Sequence, residues 1–317
     1  MLLVSTQKQE DRMAEKDIAE KTFIALDDVF ADIFNVLVFQ GKRLMSEEAL
    51  EDIAPAVQYK ADDQKLHEQE RDVYKRWKGH GFSLVLAGIE NQTKPDKDMP
   101  FRVLSYDGAS YRSQLLRTEE YEVNGEKKYR PVKERHPVVT IVLYFGKELW
   151  NYPTNLKGCL EPPLTDGSLE RLLDPYIQDY KITVFDIPRI SQETVQKFQS
   201  DFRIVAEYFT NVYRNKEYTP SDVTITHVDE FLKLMKVLTG DDRYSEIAEK
   251  DGIEKEGLKM CAVLDYREAK GKAEGKAEGL YSLVRKGRIS VEEAAAEMNL
   301  TVDEFEQFVE KITGKEA

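Results

Sequence analysis

The chain has 317 residues, 41% of them hydrophobic and 33% charged, with a formal net charge of −13. That length supports a substantial core, either as two domains or as one α/β domain with helical additions. The composition excludes a membrane-spanning helix, a disulfide framework and a uniformly basic nucleic-acid-binding protein.

The longest strongly apolar run, Val138 to Phe145, falls far short of the roughly 20 residues a membrane helix requires. The first residues lack the basic and apolar regions of a signal peptide. Cys159 and Cys261 stand far apart with no CxxC or histidine spacing, so a reducing, cytoplasmic setting without structural zinc is expected. The acidic sum counts against a duplex partner, but a local groove of the opposite sign survives inside an acidic whole. From Lys60 to Arg102 nine Lys or Arg balance eight Asp or Glu.

In chain order, residues 1–20 form a polar N-terminal arm. Phe23, Leu26, Phe30, Ile33, Phe34, Leu37 and Val38 then recur at three- and four-residue steps, which predicts one helix stopped by Gly41. Residues 46–69 are acidic and irregular. Asp72 to Trp77 alternates, Phe82 to Ile89 is nearly continuously apolar, and Gly79 and Gly81 lie between them. This predicts a hairpin whose second strand is central and buried. A loop through Thr93–Pro100 leads into a helix over roughly 99–117, followed by a charged loop containing Asn124-Gly125. Val138 to Phe145 and Ile182 to Ile187 are further strands, so a mixed α/β sheet with helices on its faces is expected.

From Ser191 the pattern is helical, over 191–214, 226–239, 243–250 and a long helix from near Glu256. The repeat EAKGKAEGKAEG at 268–279 reads as a helical connector, although each of its three glycines costs about 1 kcal/mol relative to alanine. Ser290 with Glu293 and Thr301 with Glu304 are capping boxes, predicting short helices at 290–297 and 301–312. A DNA-reading helix-turn-helix is disfavoured there, because Asp303, Glu304 and Glu306 would face phosphates. Self-association through these C-terminal helices is the partner expectation.

The residues suited to chemistry are Asp72 and the run Glu90-Asn91-Gln92. Side chains two apart on a strand project together, so Glu90 and Gln92 share a side at the end of a buried strand. Two carboxylates with the Asn91 carbonyl make a hard oxygen site suited to Mg²⁺ or Mn²⁺, and Gln92 has the means to orient a water. The same pattern also reads as ordinary polarity where a strand leaves the core. The four histidines form no ligand spacing, and there is no nucleophilic triad, Walker loop or GxGxxG.

The stretches ADIFNVLVFQGK (31–42), RDVYKRW (71–77), LVLAGIENQTKPDKDMPFRVLSYDGASY (84–111) and HPVVTIVLYFGKELW (136–150) resemble the Rpn family. These are recombination-promoting nucleases, also described as YhgA-like transposases, within the PD-(D/E)XK nuclease superfamily. The resemblance covers most of residues 23–190, and IENQ…MPFR…YD is its most specific part. It implies a PD-(D/E)XK restriction-endonuclease-like mixed sheet flanked by helices over 21–190. A helical region at 191–267, a connector at 268–289 and a helix pair at 290–317 would complete the chain.

The resemblance assigns Asp72 as the first metal-binding carboxylate and Glu90 as the second. Gln92 stands where the wider superfamily has Lys, as the Rpn group commonly shows. Asp32 is the candidate for an additional acid. DNA is the implied substrate, with Lys75, Arg76, Lys94, Lys97 and Arg102 as candidate phosphate contacts, while Trp77 and Phe101 are expected in the core. The alternative is a catalytically inactive relative serving as a binding module; a transposase with a three-carboxylate core lacks a fitting third acid on a strand.

Overall fold

The computed structural model describes residues 18–52, 56–60, 66–70, 73–79, 82–160, 171–214, 223–249 and 257–313. The chain divides into two compact units, Met1–Thr219 with Thr226–Asp241, and Pro220–Ile225 with Asp242–Ala317. No helix among the described residues is long and apolar enough to cross a membrane.

The first unit is the mixed α/β structure expected from the alternation of strands and helices. It opens with α1 (18–24) and α2 (Asp27–Ile33), which runs into a π-helical turn at Phe34–Val38. The single helix read from the apolar stripe is therefore three segments. Of the stripe, Phe23, Phe30, Ile33 and Phe34 are each at most 1% exposed and Leu37 is buried, while Leu26 and Val38 are half-buried. Gly41 ends it as expected, at φ 92°, with its N–H donated to Asn35 O at 2.8 Å. Buried Asn35 fixes the returning chain: its Oδ1 accepts from Leu44 N and Met45 N, and its Nδ2 donates to Met45 O.

The region read as irregular, 46–69, contains the strands β1 (Leu50–Asp52), β2 (Ala56–Lys60) and β3 (Leu66–Glu70), the last two forming a ribbon of their own. β4 (Val73–Gly79) and β5 (Phe82–Gln92) are the expected antiparallel hairpin. α3 (Met99–Leu116) carries the chain over to β8 (Val138–Tyr144), which pairs parallel with β5. β9 (Thr183–Asp186) pairs parallel with β8. The five-stranded sheet therefore runs β1-β4-β5-β8-β9, with β5 at its centre, which accounts for the nearly continuous apolar run from Phe82 to Ile89.

Between α3 and β8 the charged stretch is a β-ribbon rather than a loop: β6 (Thr118–Val123) and β7 (Glu126–Pro131). Asn124 and Gly125 have φ 56° and 78°, the left-handed pair that a two-residue hairpin turn demands. After the short α4 (Leu156–Cys159) and β9 come α5 (Gln192–Lys197), α6 (Phe202–Tyr213) and α7 (Val228–Thr239). The helix expected over 191–214 is thus broken between Phe198 and Asp201, and Asp32 is the cause. Its buried carboxylate accepts from Gln199 N, Ser200 N and Ser200 Oγ, each at 2.8 Å, so those amides are withdrawn from helical bonding.

The second unit is helical: α8 (Arg243–Glu249), α9 (Met260–Arg285), α10 (Val291–Glu297) and α11 (Val302–Thr313). The glycine-punctuated connector is continuous α9. Ala277 on α9, Ala294 and Ala295 on α10, and Phe305 and Val309 on α11 form its buried cluster. Both capping boxes are present: Ser290 Oγ accepts from Glu293 N at 3.1 Å and Thr301 Oγ1 from Glu304 N at 3.3 Å, and each glutamate reaches back to the cap N–H at 2.8 Å.

Candidate active site

The strand registers decide which residues share a side of the sheet. Directly opposed residues on paired strands point to the same face. β4 opposes Val73 to Ile89, Tyr74 to Gly88, Lys75 to Ala87 and Arg76 to Leu86. β8 opposes Thr140 to Gly88, Val142 to Glu90 and Tyr144 to Gln92. Positions 88, 90 and 92 of β5 therefore belong with Tyr74 and Arg76 on one side and with Thr140, Val142 and Tyr144 on the other. β9 extends the same rows, with Val184 beside Val142 and Asp186 beside Tyr144.

α3 covers this face. Met99 and Val103 pack with Val142, Ile182 and Val184. Farther along the helix, the buried carboxylate of Asp107 accepts from Thr140 Oγ1 at 2.6 Å and from the hydroxyl of Tyr180. At its far end Gln114 exchanges two hydrogen bonds with the backbone of buried His136, at 2.7 and 3.0 Å. Helix and strand thus run antiparallel, with the start of α3 beside the end of β5 that carries Glu90-Asn91-Gln92. Pro100 is tolerated in the first turn, where its missing N–H has no helical partner to lose.

Glu90 and Gln92 thus occupy same-face positions at the carboxyl end of the central strand, in keeping with their spacing. Gln92 is half-buried, and its carbonyl accepts Phe145 N at 2.7 Å. Asp72 lies outside the described residues. It precedes Val73 in the chain, and Glu90 follows Ile89, so the pair Val73↔Ile89 is flanked in sequence by the two carboxylates. Asp72, Glu90 and the Asn91 carbonyl are oxygen donors throughout, the chemistry that suits Mg²⁺ or Mn²⁺ rather than a soft metal. Among the described residues no group of three or more His, Cys, Asp or Glu is placed to hold a metal ion.

Sequence reasoning misses the row beyond Gln92. Tyr144 and Asp186 continue it across the sheet. The Tyr144 hydroxyl donates to Glu148 O at 2.8 Å, and burial pushes it above the usual tyrosine range, with the Asp186 charge adding to the effect. Arg189 holds Asp186 through contacts at 2.7 and 3.0 Å. No sequence signal links these residues to Gln92, because the link is the register of two parallel strand pairs.

Two expectations are corrected. Lys75, expected among the phosphate contacts, is 1% exposed, and its ammonium sits 2.7 Å from Asp27 and 2.5 Å from Asp52. By register it belongs with Ala87, on the sheet face opposite Glu90, so its charge is spent inside the fold. Phe101, expected in the core, is 41% exposed on α3, whereas Trp77 is buried as expected. Asp32 is engaged as the clamp on Gln199 and Ser200 and in an ion pair with Arg43. Of the remaining cations, Lys94 and Lys97 are exposed. Arg102 pairs with Asp96 at 3.0 Å, and Arg76 lies 3.6 Å from Glu51.

The family described as "Putative transposase, YhgA-like" matches residues 62–237, more than half of the chain. No curated protein and no solved structure matches.

Proposed function

Because the chain belongs to the YhgA-like transposase family, we propose that it is a metal-dependent DNA endonuclease that hydrolyses phosphodiester bonds in the service of mobile-element or recombination chemistry. The observation that carries this reading is the register. It gives Glu90 and Gln92 one face at the carboxyl end of the central strand, with Asp72 adjoining the residue that pairs with Ile89.

In this reading Asp72, Glu90 and the Asn91 carbonyl hold a divalent cation. When bound, the cation neutralises charge developing on the phosphate and lowers the pKa of a coordinated water. Gln92 has no charge to contribute and orients the attacking water through its amide, whose oxygen accepts a hydrogen bond from the water or whose NH2 donates one to it. Lys94, Lys97 and Arg102 follow the strand and supply phosphate contacts. Met99 and Val103 of α3 pack over Val142 and Val184 on this face of the sheet.

Purified protein with supercoiled plasmid and Mg²⁺ or Mn²⁺ tests this. Nicking or linearisation is expected in the wild type and is abolished in Asp72→Ala and Glu90→Ala, both with unchanged thermal unfolding. Equal cleavage by the two variants would sink the assignment. The net charge of −13 and the Gln in place of Lys favour a second reading, an inactive nuclease-like binding module. Absence of cleavage in every protein, with no metal-dependent stabilisation of the wild type, is the outcome that would select it.

A further inference from the structure

The β6–β7 ribbon and its base differ in how their charges are spent. Between Tyr111 and Arg135 the chain has seven Lys or Arg and five Glu. Within the ribbon the cations are neutralised by its own acids: Lys127 lies 2.8 Å from Glu120, Arg130 2.5 Å from Glu119, and Lys128 4.0 Å from Glu126. Arg130 also stacks over the Tyr121 ring at 5.2 Å.

At the base the balance is different. Arg112 on the last turns of α3, Arg117 where the helix ends, and Lys133 and Arg135 where the chain leaves β7 are all exposed, and Glu134 is the one acid among them. A hydrogen bond from Val132 N to Arg117 O at 2.9 Å closes the base and holds the Arg117 and Lys133 segments side by side. Arg135 donates to the carbonyls of Val132 and Glu134, which folds it back onto the same base without neutralising it. Among the described residues none of the four meets a carboxylate.

From these observations we infer that the base of the ribbon is a second contact surface for duplex DNA, binding phosphates through Arg112, Arg117, Lys133 and Arg135. The inference rests on the nuclease reading. α3 sets the spacing: Met99 packs against Val142, the partner of Glu90, and Gln114 is bonded to His136. The helix rises about 22 Å between those residues at 1.5 Å each. That is about 6–7 base pairs at 3.4 Å, so one duplex lying along α3 spans the distance from the end of β5 to the patch. The arrangement also accounts for how so acidic a chain holds a polyanion, since binding depends on local rather than net charge.

The test is binding of a fluorescein-labelled duplex in EDTA, followed by anisotropy across a salt series, with the full chain. R112Q/R117Q/K133Q/R135Q is expected to bind more weakly and to lower the slope of log K against log salt by about 3–4, at about 0.9 for each phosphate no longer neutralised. The ribbon variant K127Q/K128Q/R130Q and the charge-preserving R112K/R117K/R135K are expected to match the wild type. An unchanged slope in the four-glutamine variant, with wild-type plasmid cleavage intact, overturns the patch and leaves the nuclease reading standing. Loss of binding in the charge-preserving variant overturns it too, since the charge would then not be the cause. If the wild type neither binds duplex nor cleaves plasmid, both readings fail.

Discussion

Asp32 is where a structural and a catalytic role predict opposite outcomes. Replacing it with alanine removes a buried acceptor, 4% exposed, that takes hydrogen bonds from Gln199 N, Ser200 N and Ser200 Oγ at 2.8 Å and pairs with Arg43. Two backbone N–H groups lose their partner. A stranded donor costs about 1–3 kcal/mol, while Arg43 is 35% exposed and regains water once Asp32 is gone, so the ion pair adds little. The expected destabilisation of the first unit is therefore about 1–3 kcal/mol. For a unit of more than 200 residues each kcal/mol corresponds to about 2–4 °C, so its midpoint falls by about 2–12 °C. Urea unfolding followed by tryptophan fluorescence reports on this unit alone, because Trp77 and Trp150 both lie in it. Asp32→Asn, which keeps one acceptor oxygen, should recover part of the loss. If Asp32→Ala unfolds within about 0.5 kcal/mol of the wild type, the range of an ordinary surface change, while metal-dependent cleavage disappears, Asp32 belongs to the chemistry and the clamp is refuted.

A methyl group built at Gly146 would lie 2.0 Å from the Tyr144 hydroxyl oxygen and 2.2 Å from the ring carbon bearing it. Gly146→Ala should therefore cost about 1–3 kcal/mol by overpacking, read from the same urea curves; a neutral result would show that the Tyr144 ring moves freely beside Gln92. The buried carboxyl of Asp201 is pushed above the usual carboxylate range by burial, against the N–H groups of Thr226 and His227 that lower it. An acid with a raised folded-state pKa holds its proton more tightly when folded, so its stabilising contribution is full below the unfolded value of about 3.9 and is lost as pH rises through the folded value. Asp201→Asn should flatten that part of the stability profile, and a wild-type and variant difference that does not change with pH from about 3.9 upward would reject the assignment.

Much of the first unit is legible locally. Gly79 ends β4 and pairs with Phe82 at the start of β5, β8 is an apolar run broken only by Thr140, and the serine and threonine caps with glutamate three residues on begin α10 and α11 where they should. Backbone preference and side-chain periodicity act over a few residues, and these features are written at that range. The spacing of Glu90 and Gln92 belongs to the same class, since period two is a property of any strand.

The β6–β7 ribbon is half legible: Asn124-Gly125 announces a turn, but strands with no buried face carry no apolar alternation to read. What lies beyond the sequence is set by partners remote in the chain. Asp32 breaks a helix from 167 residues away, and no local preference encodes which amides a buried carboxylate will claim. Lys75 reads as a surface cation because alternation says which residues share its face, not what covers that face; the packing of α2 decides that, supplying Asp27 to an ammonium withdrawn from water. The row Gln92–Tyr144–Asp186 exists only through register. Registers and covering layers come from the joint burial of several strands and helices, a sum over the whole unit that no single segment contains.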